Sequence, residues 1–380
     1  MTAVFLDEQA FLMREAGGIT RYICALSEGL ARTKRVQVHL FGGISANMHL
    51  HEVSVSPWLH PTYWRRRDRW RINKLVKRIS RVWRGRVFAA VRRQHQKVIY
   101  HPSFYEVDPW IASRADMTVV TFHDMIPEWL ATHAPSEGAS VLLGHKRHAA
   151  TRAQLIIANS ASTRADILKC YPGLRTPIAV TPLASRLNSV TPSDEVLVSR
   201  PLPRRYFLMV GNRYGYKNGI SVLRAFAKLA TTTDAELIAF GGERLSASER
   251  AVLQENQAYT RWRQVRGDDR ALAASYRRAV GLVYPSLYEG FGLPILEAMQ
   301  MGCPVITGSH SSLVEVGSDA VIHVDPGNIS ELFGAMFRLL NDGDYREDLI
   351  RRGRKRSAHF SWEETARLTL EAYSKAILNL

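Results

Sequence analysis

The stretch YEGFGLPILEA, residues 288–298, decides the interpretation of this 380-residue chain. An apolar run at 280–284 comes just before it and predicts a buried strand. Gly290 and Gly292 then allow the backbone to approach a ligand closely. Pro294 suits the first turn of a helix, where its missing N–H costs nothing. The stretch therefore predicts a strand, a glycine turn and the N-terminus of a helix.

Two carboxylates, Glu289 and Glu297, flank this turn and are separated by about two helical turns. A helix N-terminus offers free N–H groups and the positive end of a dipole to an anion. A carboxylate repels phosphate but accepts hydrogen bonds from hydroxyl groups. The combination favours a ligand that carries both groups, such as a nucleotide sugar. The alternative is an ordinary strand–helix joint with solvated glutamates.

The length of the chain predicts two domains. Its composition, 46% hydrophobic and 23% charged, is that of a soluble globular protein. The N-terminus lacks a basic region followed by an apolar core, and no run of 18 apolar residues occurs. We therefore expect neither a signal peptide nor a transmembrane helix.

Three widely spaced cysteines, Cys24, Cys170 and Cys303, predict neither a disulfide framework nor a metal site. Cytoplasmic residence fits this cysteine usage.

Apolar runs alternate with helical patterns in both halves of the chain, which predicts two doubly wound parallel α/β domains. The predicted strands are 4–6, 36–41, 98–100, 117–121 and 155–158, then 206–210, 237–240, 280–284, 305–307 and 321–324. The predicted helices are 17–30, 219–229, 271–279, 293–301 and a final helix to 378 that begins at the N-cap Ser361. A polar stretch with three prolines, 191–203, predicts the linker. We expect domains at 1–195 and 204–360, facing a central cleft lined by the carboxyl ends of their strands.

The basic charge is concentrated in residues 64–97, which hold fourteen Lys or Arg and one acid, Asp68. This segment accounts for thirteen of the sixteen net positive charges, so a nucleic-acid-binding surface over the whole protein is not required. Its apolar residues recur at helical spacing: Ile72, Leu75, Val76, Ile79, Val82, Trp83, Val87 and Val91. A basic amphipathic segment with tryptophans is typical of a helix that lies on an anionic membrane. Two alternatives remain, a helix that packs its apolar stripe on the sheet and a nucleic-acid-binding segment.

A second strand, glycine loop and helix start is VGNRYGYKN at 210–218. Lys217 lies near the next helix N-terminus, where its ammonium can meet a diphosphate, and Arg213 is a candidate for a bidentate contact. The loop has neither the P-loop spacing nor G-x-G-x-x-G. The alternative is a solvated loop lysine.

The first half offers three further candidates. Gly18, in the turn Gly17-Gly18-Ile19-Thr20, lies between a strand and a helix and allows close approach to a transferred group or leaving phosphate. His123, followed by Asp124, lies at the carboxyl end of a predicted strand, where an imidazole can bond a hydroxyl or phosphate. His101 lies at another strand end and is a weaker candidate.

These motifs resemble those of the retaining, nucleotide-sugar-dependent glycosyltransferases of family 4, which have the GT-B architecture. The strongest match is PSLYEGFGLPILEAMQMGCPVITGSHSSLVEV, residues 285–316. Supporting matches are Gly17-Gly18 with TRY at 20–22, FHD at 122–124, ANSASTRADI at 158–167 and VGNRYGYKN at 210–218. The match runs nearly end to end and implies the fold and the reaction type, but not the sugar.

The resemblance assigns a role to each matching residue. It implies that Glu289 binds donor-sugar hydroxyls, Glu297 the ribose, Lys217 the diphosphate, and that His123 lies near the reacting sugar. The remaining donor-binding candidates are Gly18, Arg213, Gly290, Phe291, Gly292 and Leu293, and the acceptor-side candidates are His101 and Asp124. Many members carry arginine directly after the loop glycine; this chain has Asn212 there and Arg213 one position later, which leaves the phosphate contact of Arg213 open.

The implied reaction is hexose transfer to a lipid-linked or polysaccharide acceptor, with mannose from GDP-mannose as the donor suggested by bacterial surface-polysaccharide enzymes. The resemblance also implies retention of configuration, no cofactor, no metal, no nucleic-acid partner, and a final helix at 361–380 that crosses back to the first domain. Membrane contact through 64–97 would place the enzyme on the cytoplasmic membrane. The competing functions are a nucleotide-sugar epimerase of the same architecture and a basic nucleic-acid-binding protein.

Overall fold

A computed structural model describes residues 1–13, 17–43, 47, 49–50, 53, 71–133, 139–193 and 202–378, with the backbone alone at 13, 71–77, 139–140 and 188. The chain divides into two compact units. Unit 1 comprises Met1–Leu183 together with Trp362–Leu380, and unit 2 comprises Ala184–Ser361. The division falls before the stretch predicted as the linker, of which residues 194–201 lie outside the described residues.

Unit 1 is built on a parallel sheet with the strand order β2-β1-β3-β4-β5-β6. Its strands are β1 (Thr2–Leu6), β2 (Val36–Leu40), β3 (Val98–His101), β4 (Met117–Phe122), β5 (Leu155–Ala158) and β6 (Ile178–Val180). The order reverses between β1 and β3, because β2 lies on the outer side of β1. This reversal is a topological switch point, where the carboxyl ends of two strands open a crevice.

The helices of unit 1 connect these strands or pack on the sheet. They are α1 (Gln9–Met13), α2 (Gly18–Arg32), α3 (Arg71–Gln94), α4 (Pro109–Ala112), α5 (Ile126–His133), α6 (Ala139–Arg152), α7 (Ala161–Cys170) and α15 (Trp362–Leu378). The last helix, α15, packs on α2 and on β5, and Ala366 lies against Gly29, where a β-carbon would come within 2.7 Å. The C-terminal helix is therefore part of the unit that contains the N-terminus.

Unit 2 has a second parallel sheet, with the order β12-β11-β10-β7-β8-β9. Its strands are β7 (Tyr206–Val210), β8 (Glu236–Phe240), β9 (Trp262–Val265), β10 (Gly281–Tyr284), β11 (Val305–Gly308) and β12 (Ile322–Val324). Numbered within the unit, this is the 3-2-1-4-5-6 order of the Rossmann fold, with its switch point between β7 and β10.

The helices of unit 2 cover its sheet. They are α8 (Gly219–Ala230), α9 (Ala247–Glu255), α10 (Asp269–Arg278), α11 (Leu293–Gln300), α12 (Ser312–Gly317), α13 (Ile329–Asn341) and α14 (Gly343–Ser357). The apolar faces of α8 and α13 meet in a core that includes Phe226, Leu229, Met336 and Leu339.

The predicted doubly wound α/β class is confirmed in both units, and every strand expected from an apolar run is present. The prediction did not include β6 and β9. Both are edge strands, each paired with one neighbour among the described strands, and their side chains are half-buried, so their sequences carry a weaker apolar signal than the central strands.

Helix α3 divides the apolar residues that the sequence placed on a single stripe. Of these, Val87 and Val91 are buried, as is Phe88, which was not part of the predicted stripe and contacts Phe5 of β1 edge-on at 5.3 Å. Ile79, Val82 and Trp83 are exposed instead. Residues 64–70 of the predicted basic segment lie outside the described residues. Across the described parts of the chain, the helices are too short or too polar to span a bilayer.

Candidate functional site

The switch point of unit 2 brings together two loops that are far apart in sequence. The loop after β7 runs through Gly215–Lys217, a 3₁₀ turn, and the loop after β10 leads to the start of α11. Their backbones are joined by a hydrogen bond from Leu287 N–H to the Tyr216 carbonyl at 2.7 Å. Since ligands of open α/β sheets bind at such points, this crevice is the candidate donor site.

A lysine, a glutamate and a tyrosine meet in this crevice. The Lys217 ammonium donates to Glu289 Oε1 at 2.6 Å and to the Tyr284 hydroxyl at 2.9 Å. The Tyr284 hydroxyl in turn donates to Glu289 Oε1 at 2.6 Å. Glu289 is buried, whereas the Lys217 side chain is 20% exposed. Two predicted site residues are therefore in direct contact, and the cationic one reaches the surface.

Tyr284 is a member of this cluster that sequence reasoning did not identify. Burial and the neighbouring Glu289 raise the pKa of Tyr284 well above its usual range, so the phenol stays neutral and keeps its proton for Glu289. Tyr284 is the last residue of β10, within an apolar run whose pattern predicts only a buried strand. Its position at the carboxyl end of a strand is the feature of the sequence that could have identified it as a site residue.

The backbone of Glu289 is held by two serines of the next βα loop. Its N–H donates to Ser311 Oγ at 3.0 Å, and its carbonyl accepts from Ser312 Oγ at 2.9 Å. These bonds fix the loop between β10 and α11 and so fix the direction of the carboxylate. Both serines lie within the sequence block that carries the family resemblance.

The glycine turn is as the sequence predicted. Gly292 has φ +93° and immediately precedes α11, and a β-carbon there would come within 3.0 Å of Leu313. Only glycine adopts this backbone without strain. Gly290 and Phe291 are buried, and Phe291 contacts Phe360 edge-on at 5.8 Å, while Leu293 is half-buried at the start of α11.

Glu297 lies on α11 and is buried. Its Oε2 accepts a hydrogen bond from the Tyr276 hydroxyl of α10 at 3.1 Å. Burial and the Glu297 carboxylate raise the pKa of Tyr276 well above its usual range, so this phenol also remains a donor. The second glutamate is therefore held in one orientation by a neutral partner.

Arg213 is directed away from the lysine–glutamate contact. Its Nε donates to Glu249 Oε1 at 3.1 Å, and its terminal nitrogen Nη2 donates to the Glu243 carbonyl at 2.7 Å. Its guanidinium also lies over Trp262, 5.3 Å from the ring centroid. The side chain is 1% exposed. In this structure Arg213 joins the β7 loop to the N-terminus of α9, and the phosphate contact suggested for it stays a prediction.

Asn218 is a second residue whose role sequence reasoning missed. It adopts a left-handed conformation, φ +54°, between the 3₁₀ turn and α8. Its amide donates to the carbonyls of Pro285 and Pro326 at 3.3 and 2.6 Å. Asn218 thus joins three loops at the carboxyl edge of the sheet and positions its neighbour Lys217.

In unit 1, His123 follows β4 and is buried. Its ring meets Tyr22 edge-on at 5.2 Å, and its backbone N–H and carbonyl are bonded to the Tyr105 hydroxyl and the Asn159 amide. Burial, and then the Lys146 ammonium, lower the pKa of His123 to about 3. The imidazole is therefore neutral at physiological pH.

His101 is fully buried in a network with α15. Its ring nitrogens are 2.6 Å from the Tyr373 hydroxyl and 2.8 Å from Thr121 Oγ1. Burial and His123 lower the pKa of His101 to about 3. The structure thus gives His101 no exposed surface to offer to an acceptor.

The remaining candidates of unit 1 lie at loop positions. Asp124 accepts from Ile126 N–H at 3.0 Å, and its carbonyl accepts from Lys146 Nζ at 2.8 Å. Gly18 is the exposed first residue of α2. The roles suggested for both stay predictions.

Among the described residues, no three His, Cys, Asp or Glu side chains are grouped so that they could hold a metal ion. Cys24, Cys170 and Cys303 are free thiols.

Comparison with known proteins gives family matches for both halves of the chain. Residues 16–184 match the model described as Glycosyltransferase Family 4, and residues 198–356 match the model described as Glycosyl transferases group 1. The chain is 30% identical to O-antigen chain mannosyltransferase B of Escherichia coli over 291 residues, which are 74% of this chain and 75% of that protein. It is 39% identical to the MMP alpha-(1->4)-mannosyltransferase of Mycolicibacterium hassiacum over 113 residues, 29% of this chain and 28% of that protein.

Solved structures show the same fold. The sucrose-phosphate synthase of Thermosynechococcus elongatus superimposes with a TM-score of 0.72 at 19% identity, covering 100% of both chains. Anabaena HepE, in complex with UDP and glucose, superimposes with a TM-score of 0.71 at 15% identity, covering 99% of this chain and 100% of that chain.

The fold class is that of the GT-B glycosyltransferases, with two Rossmann-like units. The chain belongs to the glycosyltransferases of family 4 with a group 1 transferase domain, and it is an enzyme of the transferase class. The family indicated by the sequence motifs is therefore confirmed.

Proposed function

We propose that this glycosyltransferase moves mannose from GDP-mannose to a lipid-linked or growing polysaccharide of the O-antigen type, with retention of configuration and without a metal. The observation that carries the proposal is the contact of Lys217, Glu289 and Tyr284 at the switch point of unit 2. The mannose is supported by the names of the relatives, which include an O-antigen chain mannosyltransferase and the serotype-specific mannosyltransferase WbdA of Escherichia coli.

The geometry of the crevice suits a donor that has both phosphate and hydroxyl groups. Lys217 and the N-terminus of α11 provide positive potential for a diphosphate. Among the described residues, both hydrogen bonds to the Glu289 carboxylate are made to Oε1, so Oε2 is the atom we assign to a hydroxyl of the donor sugar. Glu297, held by Tyr276, is the partner that we assign to the ribose.

The difficult part of the reaction is the departure of the nucleoside diphosphate with its negative charge. Preorganised positive groups at the site of developing charge are usually the largest catalytic contribution to such a step. Lys217 is preorganised because Glu289 and Tyr284 fix its ammonium. We assign the stabilisation of the leaving diphosphate to Lys217.

Retention by double displacement would need a carboxylate nucleophile against the sugar ring. Glu289 Oε1 already accepts hydrogen bonds from Lys217 and Tyr284, which fix the carboxylate and make it a poor nucleophile for attack on carbon. We therefore favour a front-face substitution, in which the leaving phosphate takes the proton of the acceptor hydroxyl. The neutral His123 is assigned to a hydrogen bond with the reacting sugar.

A thermal-shift panel of GDP, UDP, ADP and their sugars tests the donor, because a ligand that binds the native state raises the melting temperature. We expect the largest shift with GDP-mannose and GDP. A shift with UDP or ADP compounds alone would overturn the donor assignment. Conversion of free GDP-mannose without an acceptor would indicate an epimerase instead.

The reaction itself is tested by transfer of mannose to a mannoside acceptor in the presence of EDTA. We expect full activity with EDTA and an α-linked product by NMR. A β-linked product would contradict retention, and loss of activity that Mg²⁺ restores would contradict metal independence.

The acceptor side of the proposal includes membrane contact through α3. Ile79, Val82 and Trp83 are exposed at helical spacing. Arg78, Arg81 and Arg86 are exposed beside them, so apolar groups and cations alternate on the solvent side of the helix. An exposed apolar strip between arginines supports docking on an anionic bilayer, where a lipid-linked acceptor is found.

Flotation with liposomes tests this contact. We expect the protein to float with vesicles that contain phosphatidylglycerol, and Trp83→Ala to float less. Trp110→Ala is the matched control, because Trp110 of α4 is 43% exposed, as Trp83 is. Equal flotation with anionic and neutral vesicles would refute the membrane contact.

A further inference from the structure

Unit 1 has its own switch point, between β1 and β3, and a cavity of about 220 Å³ lies beside it. Residues that directly follow these strands line the cavity, together with α1 and α3. The lining residues that matter here are Glu8, Leu12, Arg81, Arg84, Phe104 and Glu106. None of these residues belongs to the donor site of unit 2.

The wall of this cavity is a buried charge cluster. The Arg84 guanidinium donates to Asp108 at 2.7 Å and lies 3.5 Å from the Glu8 carboxylate and 3.8 Å from that of Asp7. The Arg84 and Glu8 side chains are 4% and 3% exposed. Asp7 also accepts from the Tyr100 hydroxyl and from Ser103, which joins the ends of β1 and β3.

Two polar atoms of this wall have no partner among the described residues, Glu8 Oε2 and Arg84 Nε. Buried polar groups are nearly always hydrogen-bonded, and leaving one unpaired is costly. One is an acceptor and the other a donor, and both belong to side chains that line the cavity, so this wall suits a ligand group that both donates and accepts. A hydroxyl group does both.

The charge of the cavity distinguishes a sugar from a phosphate. Glu8 lies in the wall, and Glu106, paired with Arg81 at 2.8 Å, lies at the more exposed rim. Four carboxylates surround the two arginines Arg81 and Arg84, so the cavity has no excess positive charge to hold a phosphate. Phe104 adds an apolar side chain to the lining, of the kind that packs against the C–H face of a sugar ring.

Burial, and then the Asp7 carboxylate, raise the pKa of Glu8 to about 7 against the opposing effect of Arg84. The Glu8 carboxyl therefore exchanges between donor and acceptor forms near neutral pH, which again fits a hydroxyl partner.

We propose that this cavity is an acceptor subsite that holds one neutral sugar unit between Glu8, Arg84 and Phe104. The inference rests on the proposed function, since it names where the acceptor binds. The volume is below the roughly 300–1,000 Å³ of sites that enclose a whole ligand. It suits a single ring of a longer acceptor that continues past the Arg81–Glu106 rim. Arg81 belongs to α3, the helix that also carries the exposed apolar strip.

Saturation-transfer NMR on the full chain tests the subsite directly. The probes are the methyl α-glycosides of mannose, glucose, galactose and N-acetylglucosamine, with saturating GDP present to occupy the donor site. The variants are Leu12→Trp, which fills the cavity, and Glu8→Gln, which removes the carboxylate. Their matched controls are Leu168→Trp and Glu363→Gln, at exposed positions of the same unit.

At least one glycoside is expected to bind the wild type and both controls. Leu12→Trp should abolish the signal, and Glu8→Gln should weaken binding about tenfold at pH 8, where the wild-type carboxyl is mostly ionised, the scale of one hydrogen bond to a charged group. Melting temperatures show that each variant is folded. No glycoside signal, or a signal unchanged in Leu12→Trp, would overturn the subsite, as would ³¹P-detected binding of inorganic phosphate that Leu12→Trp abolishes. Failure of the proposed function is recognised separately, as the absence of any nucleotide-induced thermal shift in the wild type.

Discussion

The switch points of the two units arise from the same reversal of strand order in a parallel sheet, but they carry different side chains. In unit 2 the strand ends at β7 and β10 carry a lysine, a glutamate and a glycine turn that leads into α11. In unit 1 the ends of β1 and β3 carry two adjacent carboxylates, Asp7 and Glu8, around a buried arginine. The first set suits a ligand with phosphate and hydroxyl groups, and the second suits hydroxyl groups alone.

The two regions also differ in how they use their cations. In unit 2, one cation faces the ligand crevice and another forms a buried ion pair: Lys217 is partly exposed in the crevice, whereas Arg213 is buried against Glu249. In unit 1, Arg84 does both, because it holds three carboxylates together and also lines the cavity. Because Arg213 and Lys217 have different roles in unit 2, replacing them should have different effects, on stability and on turnover.

The largest expected effect is the loss of stability in Arg213→Leu. Removing one partner of a buried ion pair leaves the other charge uncompensated, at a cost of about 3–5 kcal/mol. Urea denaturation of the full chain measures the loss in the free energy of unfolding. GDP titration at temperatures where the variant is still folded should give nearly wild-type affinity. If GDP affinity falls as much as in a Lys217 variant, Arg213 contacts the phosphate and the separation of roles is wrong.

Lys217→Ala tests the other cation of the same loop. Turnover should fall at least ~100-fold, the scale of losing one charge-stabilising contact in the transition state. The control is Lys228→Ala, an exposed lysine of α8 whose ammonium lies over Phe333. Turnover in Lys217→Ala close to that of the control would remove the phosphate role from this lysine.

Glu297→Ala should chiefly weaken donor binding. Losing a hydrogen bond to a charged group lowers affinity roughly tenfold or more. Calorimetric titration with GDP-mannose measures this, and turnover at saturating donor should change little. Tyr276→Phe, which removes only the phenol that orients Glu297, should produce a smaller change in the same direction. Unchanged donor affinity in Glu297→Ala would count against the ribose assignment.

A comparably small effect is expected at His101, which is buried in unit 1. The pKa of His101 falls from 6.5 to about 3 on folding, so between these values the unfolded chain binds more protons than the folded one. Stability contributed by neutral His101 is therefore present above pH 6.5 and is lost as the pH falls towards 3. Between pH 7 and 5 this amounts to roughly 1–2 kcal/mol.

Urea denaturation of the wild type and His101→Asn at both pH values isolates this contribution. The variant should lose less stability than the wild type on acidification. Equal losses would show that His101 is not held neutral by its burial.

Much of the fold could be predicted from local sequence. Central strands are continuous apolar runs, and Gly292, Pro294 and Ser361 mark turns and helix starts that the structure reproduces within a residue or two. The apolar pattern does not predict the edge strands β6 and β9, because half-buried strands need fewer apolar residues.

The site was predictable only as separate motifs. Lys217 and Glu289 lie 72 positions apart, and their contact depends on β7 and β10 being neighbours, which no local pattern reveals. The partner of Arg213, Glu249, belongs to the capping box of α9, a helix that the sequence analysis did not predict. Predicting the cavity beside β1 and β3 also requires the strand order, because Glu8 and Arg84 are distant in sequence.

We propose that the crevice at the β7–β10 switch point holds the donor sugar. The turnover of Glu289→Ala with GDP-mannose and acceptor at saturation tests it most directly, with Glu347→Ala, an exposed position on α14, as the control. We expect a fall of at least ~100-fold in Glu289→Ala and none in the control. Near-normal turnover in a folded Glu289→Ala protein would contradict it.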